Sequence, residues 1–321
     1  MSKRVPISAS AILFNKNSEK SLLLRRGPTD KFAPNAYVFP GGVLERKYDT
    51  KFPLNLTNYD KIITPKIKPN NMENDFSLRV CSLRELFEET GLLFVTEKNN
   101  SKKKVLSSLD DGVLDKMKHK IKSNPMLFKD LFTDFHLDLD ALTSLSYWMT
   151  PHGLPIRFET LFYVINVNEE HKIDLCKQEM TDCTWMKLED ILKNPDVKNY
   201  LPPPQIYEIC RLHWSKYEKI EIDSKLIFPQ LIFAKDPTKP DVYALPGDHL
   251  FIENMPPESE YDKRIMTFEE VDSYSKTKKV NRILFTNYKN SNFSDLVIRN
   301  FDKNDKNKPI MFEYISKFNS K

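Results

Sequence analysis

The fold prediction starts from one acidic stretch in the first third of the chain, Arg84-Glu85-Leu86-Phe87-Glu88-Glu89-Thr90-Gly91-Leu92. At 100° per residue its three glutamates fall within an arc of about 100° on a helix, and the apolar residues lie on the opposite side. This pattern predicts an amphipathic helix over residues 77–90, with one face in a core and three carboxylates on the other. Gly91 stands where a helix commonly ends in the left-handed backbone region.

The three carboxylates oppose helix formation. Like charges at i,i+3 and i,i+4 cost roughly 0.2–0.5 kcal/mol per pair, and Glu88 and Glu89 lie near the partially negative end of the helix. Arg84 lies beside the cluster and pairs with only part of it. A divalent cation such as Mg²⁺, bound through carboxylate oxygens, would offset this repulsion. From the cluster alone, a solvated acidic face without a ligand is an equally good interpretation.

Glycine is scarce, with seven residues in 321. Such a chain keeps glycine where the backbone needs positive φ or close approach to another group. Two of the seven, Gly41 and Gly42, are adjacent and follow the apolar run Tyr37-Val38-Phe39 and Pro40. They mark a second place where the backbone is under a special constraint.

Pro40-Gly41-Gly42, taken with the acidic stretch, resembles the signature of the Nudix hydrolases, G-x5-E-x7-R-E-U-x-E-E-x-G-U with U apolar. The second half matches at every fixed position. The first half does not, because Gly42 and Arg84 are further apart than the signature allows and Phe76 stands where it has a glutamate. The residues that could replace this acid are Asp75, Glu73 and Glu45.

An interruption at this place is similar to that of the Nudix hydrolase 19 family, the acyl-coenzyme A diphosphatases. Further blocks support the resemblance over roughly residues 5–250: Leu22-Leu23-Leu24-Arg25-Arg26-Gly27-Pro28, Trp148-Met149-Thr150-Pro151, Leu201-Pro202-Pro203-Pro204-Gln205-Ile206-Tyr207-Glu208 and Leu245-Pro246-Gly247-Asp248. The resemblance implies an α+β Nudix fold, an α/β/α sandwich with a mixed sheet. It divides the chain into a Nudix domain at 5–250, interrupted by an insertion at 46–76, and a C-terminal extension at 251–321 of unknown role.

The implied activity is metal-dependent hydrolysis of the pyrophosphate bond of coenzyme A and acyl-CoA. The products are 3′,5′-ADP and (acyl-)4′-phosphopantetheine, and the implied cofactor is Mg²⁺ or Mn²⁺, with no organic cofactor. A Nudix hydrolase of another nucleoside diphosphate derivative, such as ADP-ribose or NADH, stays open. So does a Nudix-fold binding module without catalysis.

The resemblance also assigns residues. Glu85, Glu88 and Glu89 are the expected metal ligands and catalytic acids, and one of them, or an acid elsewhere, is the general base. Arg84 is expected to hold these carboxylates in position. The expected substrate-binding residues are Arg25, Arg26, Gly41, Gly42 and Tyr207. Each has a structural alternative: solvated strand-end charges for the arginines, a tight turn for the glycines and a packing brace for Tyr207.

Composition excludes several classes of protein. Lys+Arg 49 against Asp+Glu 45 gives +4, which is too balanced for a dedicated nucleic-acid binder. The resemblance implies a small-molecule substrate, CoA or acyl-CoA, as the partner. No apolar run approaches the ~20 residues of a membrane span. The sequence does not indicate the oligomeric state.

The four cysteines lack the C-x2-C spacing of a zinc site, and we expect reduced thiols in an intracellular compartment. The resemblance suggests the peroxisome, but the C-terminal Asn319-Ser320-Lys321 is not an S-K-L type signal. The cytoplasm and the mitochondrion therefore stay open.

Apolar runs and turn residues predict the remaining elements. Helices are expected at 105–132, 188–193 and 205–216, an irregular surface insertion with room for short structured pieces at 46–76, and a solvated lysine-rich loop at 98–104. Strands are expected at 5–14, 21–26, 37–39, 92–96, 145–148, 160–167, 183–186, 226–234, 242–245, 282–286, 295–299 and 310–315.

Overall fold

The strands of the chain form three sheets. The computed structural model describes residues 5–62, 75–215, 226–255, 262–273, 276–286, 292–302, 304–305 and 309. The strands are β1 (Ile7–Asn15), β2 (Lys20–Arg26), β3 (Tyr37–Val38), β4 (Gly41–Val43), β5 (Leu92–Glu97), β6 (Lys103–Ser107), β7 (Phe135–Leu137), β8 (Thr143–Met149), β9 (Glu159–Val167), β10 (Met180–Lys187), β11 (Leu226–Ile227), β12 (Gln230–Ala234), β13 (Asp241–Ala244), β14 (Arg264–Met266), β15 (Val280–Thr286) and β16 (Phe293–Arg299).

The helices are α1 (Asp75–Thr90), α2 (Gly112–Ser123), α3 (Leu188–Lys193), α4 (Pro195–Lys198), α5 (Pro203–Trp214) and α6 (Phe268–Asp272). Helices α1 to α5 contribute to the cores on the two faces of the main sheet, and α6 packs against the second sheet. The predicted helices at 77–90, 188–193 and 205–216 are confirmed with shifts of a few residues at their ends. None of the described helices combines the length and apolar character needed to cross a membrane.

The main sheet has the order β10-β2-β1-β9-β8-β11, with β3 beside β2 and β4 beside β1. Its centre is the parallel pair β1 and β9, which starts with Ile7 opposite Glu159. Both faces of β1 are buried along its whole length, because the core that contains α1 covers one face and the core that contains α5 covers the other. The predicted mixed sheet between helices is confirmed.

A second sheet, β14-β12-β13-β15-β16, follows α5. Its apolar side chains share one core with α5, and Leu231, Ile283 and Leu296 pack in the same cluster as Ile206 and Leu212. The predicted division at residue 250 falls between β13 and β14, so residues on both sides of it belong to one sheet. The strand predicted at 310–315 lies outside the described residues.

A third, small sheet has the order β6-β5-β7. Residues 105–132, predicted to be mainly helical, begin instead with most of β6, continue into α2, whose N-terminus is capped by the Asp111 side chain, and end in the 3₁₀ helix Pro125–Leu131. The lysine-rich loop is also shorter than predicted. Lys103 belongs to β6 and its ammonium lies 2.7 Å from the Asp140 carboxylate.

The insertion is not confined to the surface, and that part of the prediction is wrong. Three 3₁₀ helices, Asp49–Lys51, Leu54–Leu56 and Tyr59–Lys61, occupy its described part. Phe52 between the first two packs edge-on against Phe132, with ring centroids 5.7 Å apart. Such aromatic packing anchors the segment in the core. Residues 63–74 lie outside the described part, and residues 75–76 belong to α1.

Helix α1 is buried on nearly all sides rather than on one face. Among its charged residues, Arg79 is 0% exposed, Arg84 2% and Glu89 3%. The side of the helix that carries the three carboxylates is therefore covered rather than solvated. The 3₁₀ segment at 49–51 and strand β4 cover that face, where Arg84 bonds with Asp49 and Glu89 bonds with Gly41.

Candidate active site

The glutamates of α1 lie against the glycine pair at the start of β4. The Gly41 N–H donates to Oε2 of Glu89 at 2.9 Å. A Cβ added to Gly42 would lie 2.3 Å from the carboxyl carbon of Glu85, so the side chain of any other residue would displace that carboxylate. A Cβ on Gly41 would lie 2.4 Å from the carbonyl oxygen of Ala9 in the neighbouring strand. The close approach that the glycines predicted is therefore observed, and it is made to the carboxylates.

Arg84 connects three carboxylates. Its Nε and Nη2 each lie 2.9 Å from one oxygen of Asp49, in a bidentate pair. Its Nη1 donates to Glu85 at 2.8 Å and to Glu88 at 2.9 Å. A planar guanidinium suits such fork-shaped pairing. Because Arg84 is 2% exposed, these contacts are buried ion pairs and not a surface pair.

Asp49 is the acid that sequence reasoning missed. Of the three replacements considered, Asp75 pairs with Arg79 at 2.7 Å, nearer the beginning of α1, and Glu73 lies outside the described residues. Glu45 contributes its backbone N–H, which donates to Asp49. Nothing in the sequence singles out Asp49, because no signature spacing survives across the insertion.

The acid cluster carries more negative charge than its neighbours compensate. Burial raises the pKa of Glu85 to about 7, although Arg84 opposes the shift. Burial also raises the pKa of Glu88, and it raises that of Glu89 well above its usual range with help from the charge of Glu85. The charge of Glu179, a second acid that the sequence did not indicate, raises the pKa of Glu88 and Glu89 further. Burial therefore disfavours the charged forms more than Arg84 and the Gly41 N–H favour them.

The donor chemistry of the cluster fits a hard divalent cation. Buried carboxylate oxygens with excess negative charge are the ligands that Mg²⁺ and Mn²⁺ prefer. In the described parts of the chain, no three metal-binding side chains are placed as a ready-made metal site. The cause lies in the bonds above: Glu85 and Glu88 each turn an oxygen to Arg84, and Glu89 turns one to Gly41.

The two arginines at the end of β2 have different surroundings. The Arg25 guanidinium lies over the rings of Tyr37 and Tyr200, at 5.4 and 5.8 Å from their centroids. Arg26 donates to the carbonyl oxygen of Phe32 at 3.0 Å, and its charge lowers the pKa of Glu89. Of the two, Arg26 is the one whose field reaches the acid cluster.

Tyr207 lies in the core shared with α5 and is 5% exposed. Its ring packs edge-on against Trp148, with centroids 5.1 Å apart. The Trp148 indole N–H in turn bonds with Glu208 at 3.1 Å. This packing favours the brace over the substrate wall, the two roles that the sequence left open for Tyr207.

The chain is similar to several known proteins. A family model described as the NUDT19 Nudix domain matches residues 60–212. The chain is 32% identical over 251 residues to "Putative nudix hydrolase 7" of Caenorhabditis elegans, covering 77% of this chain and 74% of that protein. It is 27% identical over 290 residues to "Acyl-coenzyme A diphosphatase NUDT19" of Homo sapiens, covering 78% and 76%.

One solved structure has the same fold. The crystal structure of a Nudix hydrolase from Alicyclobacillus acidocaldarius superposes with a TM-score of 0.55 at 20% identity, covering 66% of this chain and 92% of that one. At this identity the likeness concerns the fold alone.

Proposed function

Because the chain belongs to the Nudix hydrolase family, we propose that it hydrolyses the pyrophosphate bond of coenzyme A and acyl-CoA. The products are 3′,5′-ADP and (acyl-)4′-phosphopantetheine. The observation that carries the proposal is the convergence of Glu85, Glu88 and Glu89 on Arg84 and on the glycine pair. The choice of coenzyme A is supported by the similarity to an acyl-CoA diphosphatase over more than two thirds of both chains.

The reaction breaks one P–O bond of the pyrophosphate and forms another to the oxygen of water. A Mg²⁺ or Mn²⁺ ion held by Glu85, Glu88 and Glu89 would neutralise phosphate charge and acidify bound water. The chain's own part is to hold these carboxylates through Arg84 and to keep the approach narrow at Gly41 and Gly42. A glutamate of the cluster accepts the proton that the attacking water releases.

Arg26 supplies positive charge on the substrate side of the cluster. Its guanidinium lies 3.4 Å from Asp30 and close enough to Glu89 to affect its pKa. We assign it to the phosphates, because a guanidinium forms paired hydrogen bonds with phosphate oxygens. We assign this role to Arg26 rather than to Arg25, because the Arg25 guanidinium is held over two tyrosine rings.

All four cysteines carry free thiols. We therefore place the activity in a reducing compartment, with the peroxisome, the cytoplasm and the mitochondrion as candidates.

The proposal is tested by product analysis. The purified protein is incubated with free CoA, acetyl-CoA, ADP-ribose or NADH, each with Mg²⁺, Mn²⁺ or a chelator. We expect 3′,5′-ADP from CoA and acetyl-CoA, formed only with metal and faster than any product from the other compounds. Faster cleavage of ADP-ribose or NADH would make that compound the substrate in place of CoA. If no compound is cleaved, a binding module without catalysis is favoured.

A further inference from the structure

A cavity of about 390 Å³ lies outside the acid cluster, between the turn after β8 and the second sheet. This volume is in the range of pockets that bind small molecules. The cavity has His152, Gln230 and Glu253 on its walls, and the rest of its lining is apolar: Leu226, Phe228, Pro246, Phe251, Ile252 and Met255. Leu226 is 39% exposed and Ile252 44%, so apolar surface here faces an open space.

One wall of the cavity is held in place by a buried amide. Gln230 is 2% exposed, and its side chain accepts from the Ile252 N–H at 2.8 Å and donates to the Ile252 carbonyl at 2.6 Å. Arg264 donates to the carbonyl of Leu250 at 2.8 Å. These bonds fix the backbone at 250–252, so this wall of the cavity is held rigidly against the second sheet.

A row of partly exposed side chains joins the cavity to the acid cluster. It runs past the end of the main sheet, where β2 ends and β9 begins. On the cluster side, Arg26 contacts the carbonyl of Phe32, whose ring lies 5.1 Å from that of Phe158. Arg157, the next residue along the row, has its guanidinium 6.0 Å from the Phe228 ring. On the cavity side, the Phe228 ring packs on His152, with centroids 4.9 Å apart. The row gives an extended molecule a path of aromatic rings and guanidinium groups from one site to the other.

The separation suits a pantetheine arm. The turn after β8, which carries His152 of the cavity, lies three strand positions from β4, which carries the glycine pair, and three spacings amount to about 14 Å. The pantetheine arm has a backbone as long as about four extended residues, also roughly 14 Å at 3.3–3.6 Å per residue. With the pyrophosphate at the acids, the thioester end reaches the cavity.

We propose that this cavity receives the acyl group of an acyl thioester substrate. The inference rests on the proposed function and adds to it the place where the acyl chain binds. Burial of apolar surface then makes kcat/KM rise with chain length, by up to about fourfold per buried methylene. Hexanoyl-CoA, with four more methylenes than acetyl-CoA, should be the better substrate by about tenfold or more.

The test compares two isoleucines that are both exposed, Ile252 in the cavity and Ile265 on β14, which is 61% exposed and does not line it. In Ile252→Asp the ratio of kcat/KM for hexanoyl-CoA over acetyl-CoA should fall to about one, because a carboxylate beside the chain must lose water. In Ile265→Asp the ratio should equal that of the unchanged protein. Using a ratio cancels any uniform effect of the new charge on binding of the nucleotide.

Binding of hexanoyl-4′-phosphopantetheine, measured by calorimetry, gives a readout apart from turnover. It should weaken about tenfold in Ile252→Asp and be unchanged in Ile265→Asp. If both CoA esters are hydrolysed but Ile252→Asp keeps the original ratio, the cavity assignment is overturned and the proposed function stands. If neither ester is hydrolysed by the unchanged protein, the proposed function fails and this inference fails with it.

Discussion

At the scale of single residues, the acid cluster depends on Arg84. The side chain is buried, and Asp49, Glu85 and Glu88 all bond to it. A buried charge that loses a partner is costly, so removal of any of these acids affects Arg84 as well as the geometry of the site. Asp49 contributes most directly, because it takes two of the guanidinium's nitrogens.

We expect Asp49→Asn to lower the free energy of unfolding by about 3 kcal/mol, since it breaks a buried ion pair and leaves Arg84 short of a partner. Urea denaturation with and without the substitution measures the change. Asp60→Asn, at an exposed position of the same insertion, is the matched control and should stay within about 0.5 kcal/mol. A loss below about 1 kcal/mol in Asp49→Asn would contradict the role given to this pair.

Glu89→Gln should lower kcat about 100-fold or more while the protein stays folded. The amide oxygen can still accept the Gly41 N–H, so the local backbone keeps its bond, but the negative charge is gone. The measurement is CoA cleavage with saturating Mg²⁺, together with a thermal melt by circular dichroism. Glu169→Gln, at an exposed position, should cleave CoA at the original rate. If Glu89→Gln cleaves CoA at the original rate, Glu89 is not a residue of the active site.

At the scale of elements, helix α1 carries its acids into an environment that disfavours their charge. Its glutamates are covered by β4, by the insertion and by the turn that precedes β10, which carries Glu179. Folding therefore forces protons onto groups that would be ionised in the unfolded chain. The stability of the metal-free protein should consequently depend on pH in the direction opposite to that of ordinary salt-bridged carboxylates.

Between pH 4.5 and 7, folded Glu85 holds a proton that the unfolded chain has released, because its pKa rises from 4.5 to about 7. The free energy of unfolding should thus fall as pH rises through this window, by roughly 3 kcal/mol for this group. Urea unfolding at pH 5, 6, 7 and 8 with a chelator measures the slope. Glu85→Gln should flatten it, and Mn²⁺ should restore stability at pH 8. A metal-free protein that gains stability from pH 5 to 7 would refute this account.

The sequence predicted elements with a clear local pattern. Apolar runs gave β1, β2 and β9, and the glutamate spacing gave α1. Strand β6 is not predicted, because lysines such as Lys103, whose side chain is 53% exposed even in the strand, are typical of a solvated loop. The partner of Arg84 could not be predicted, because a contact between residues 35 positions apart across an insertion leaves no periodic trace.

At the scale of the whole molecule, the second sheet completes a core that begins in the first. Leu231 and Ile283 come from the sheet, whereas Ile206 and Leu212 come from α5, and all four are fully buried in one cluster. Strands β14 to β16 lie beyond residue 250, so the C-terminal extension is a structural part of this core.

A chain ending at residue 250 should therefore fail to fold to the native stability. It keeps β12 and β13 but loses the strands that pair with them and the side chains that cover α5. We expect aggregation on expression, or a Tm at least about 10 °C lower, since several apolar residues lose their cover. A chain ending at residue 309 keeps every strand of the described sheet and serves as the control. Equal melting of the two chains would show that the extension is dispensable.

The place of the second sheet in the chain has a consequence for synthesis on the ribosome. The apolar side of α5 is translated before its cover, since β16 ends about 85 residues after α5. At 5–20 residues per second, roughly 4 to 17 s separate the two events. During that interval the apolar side of α5 is exposed and prone to aggregation. The yield of folded protein in the cell should therefore depend on translation speed and on chaperones that bind nascent chains.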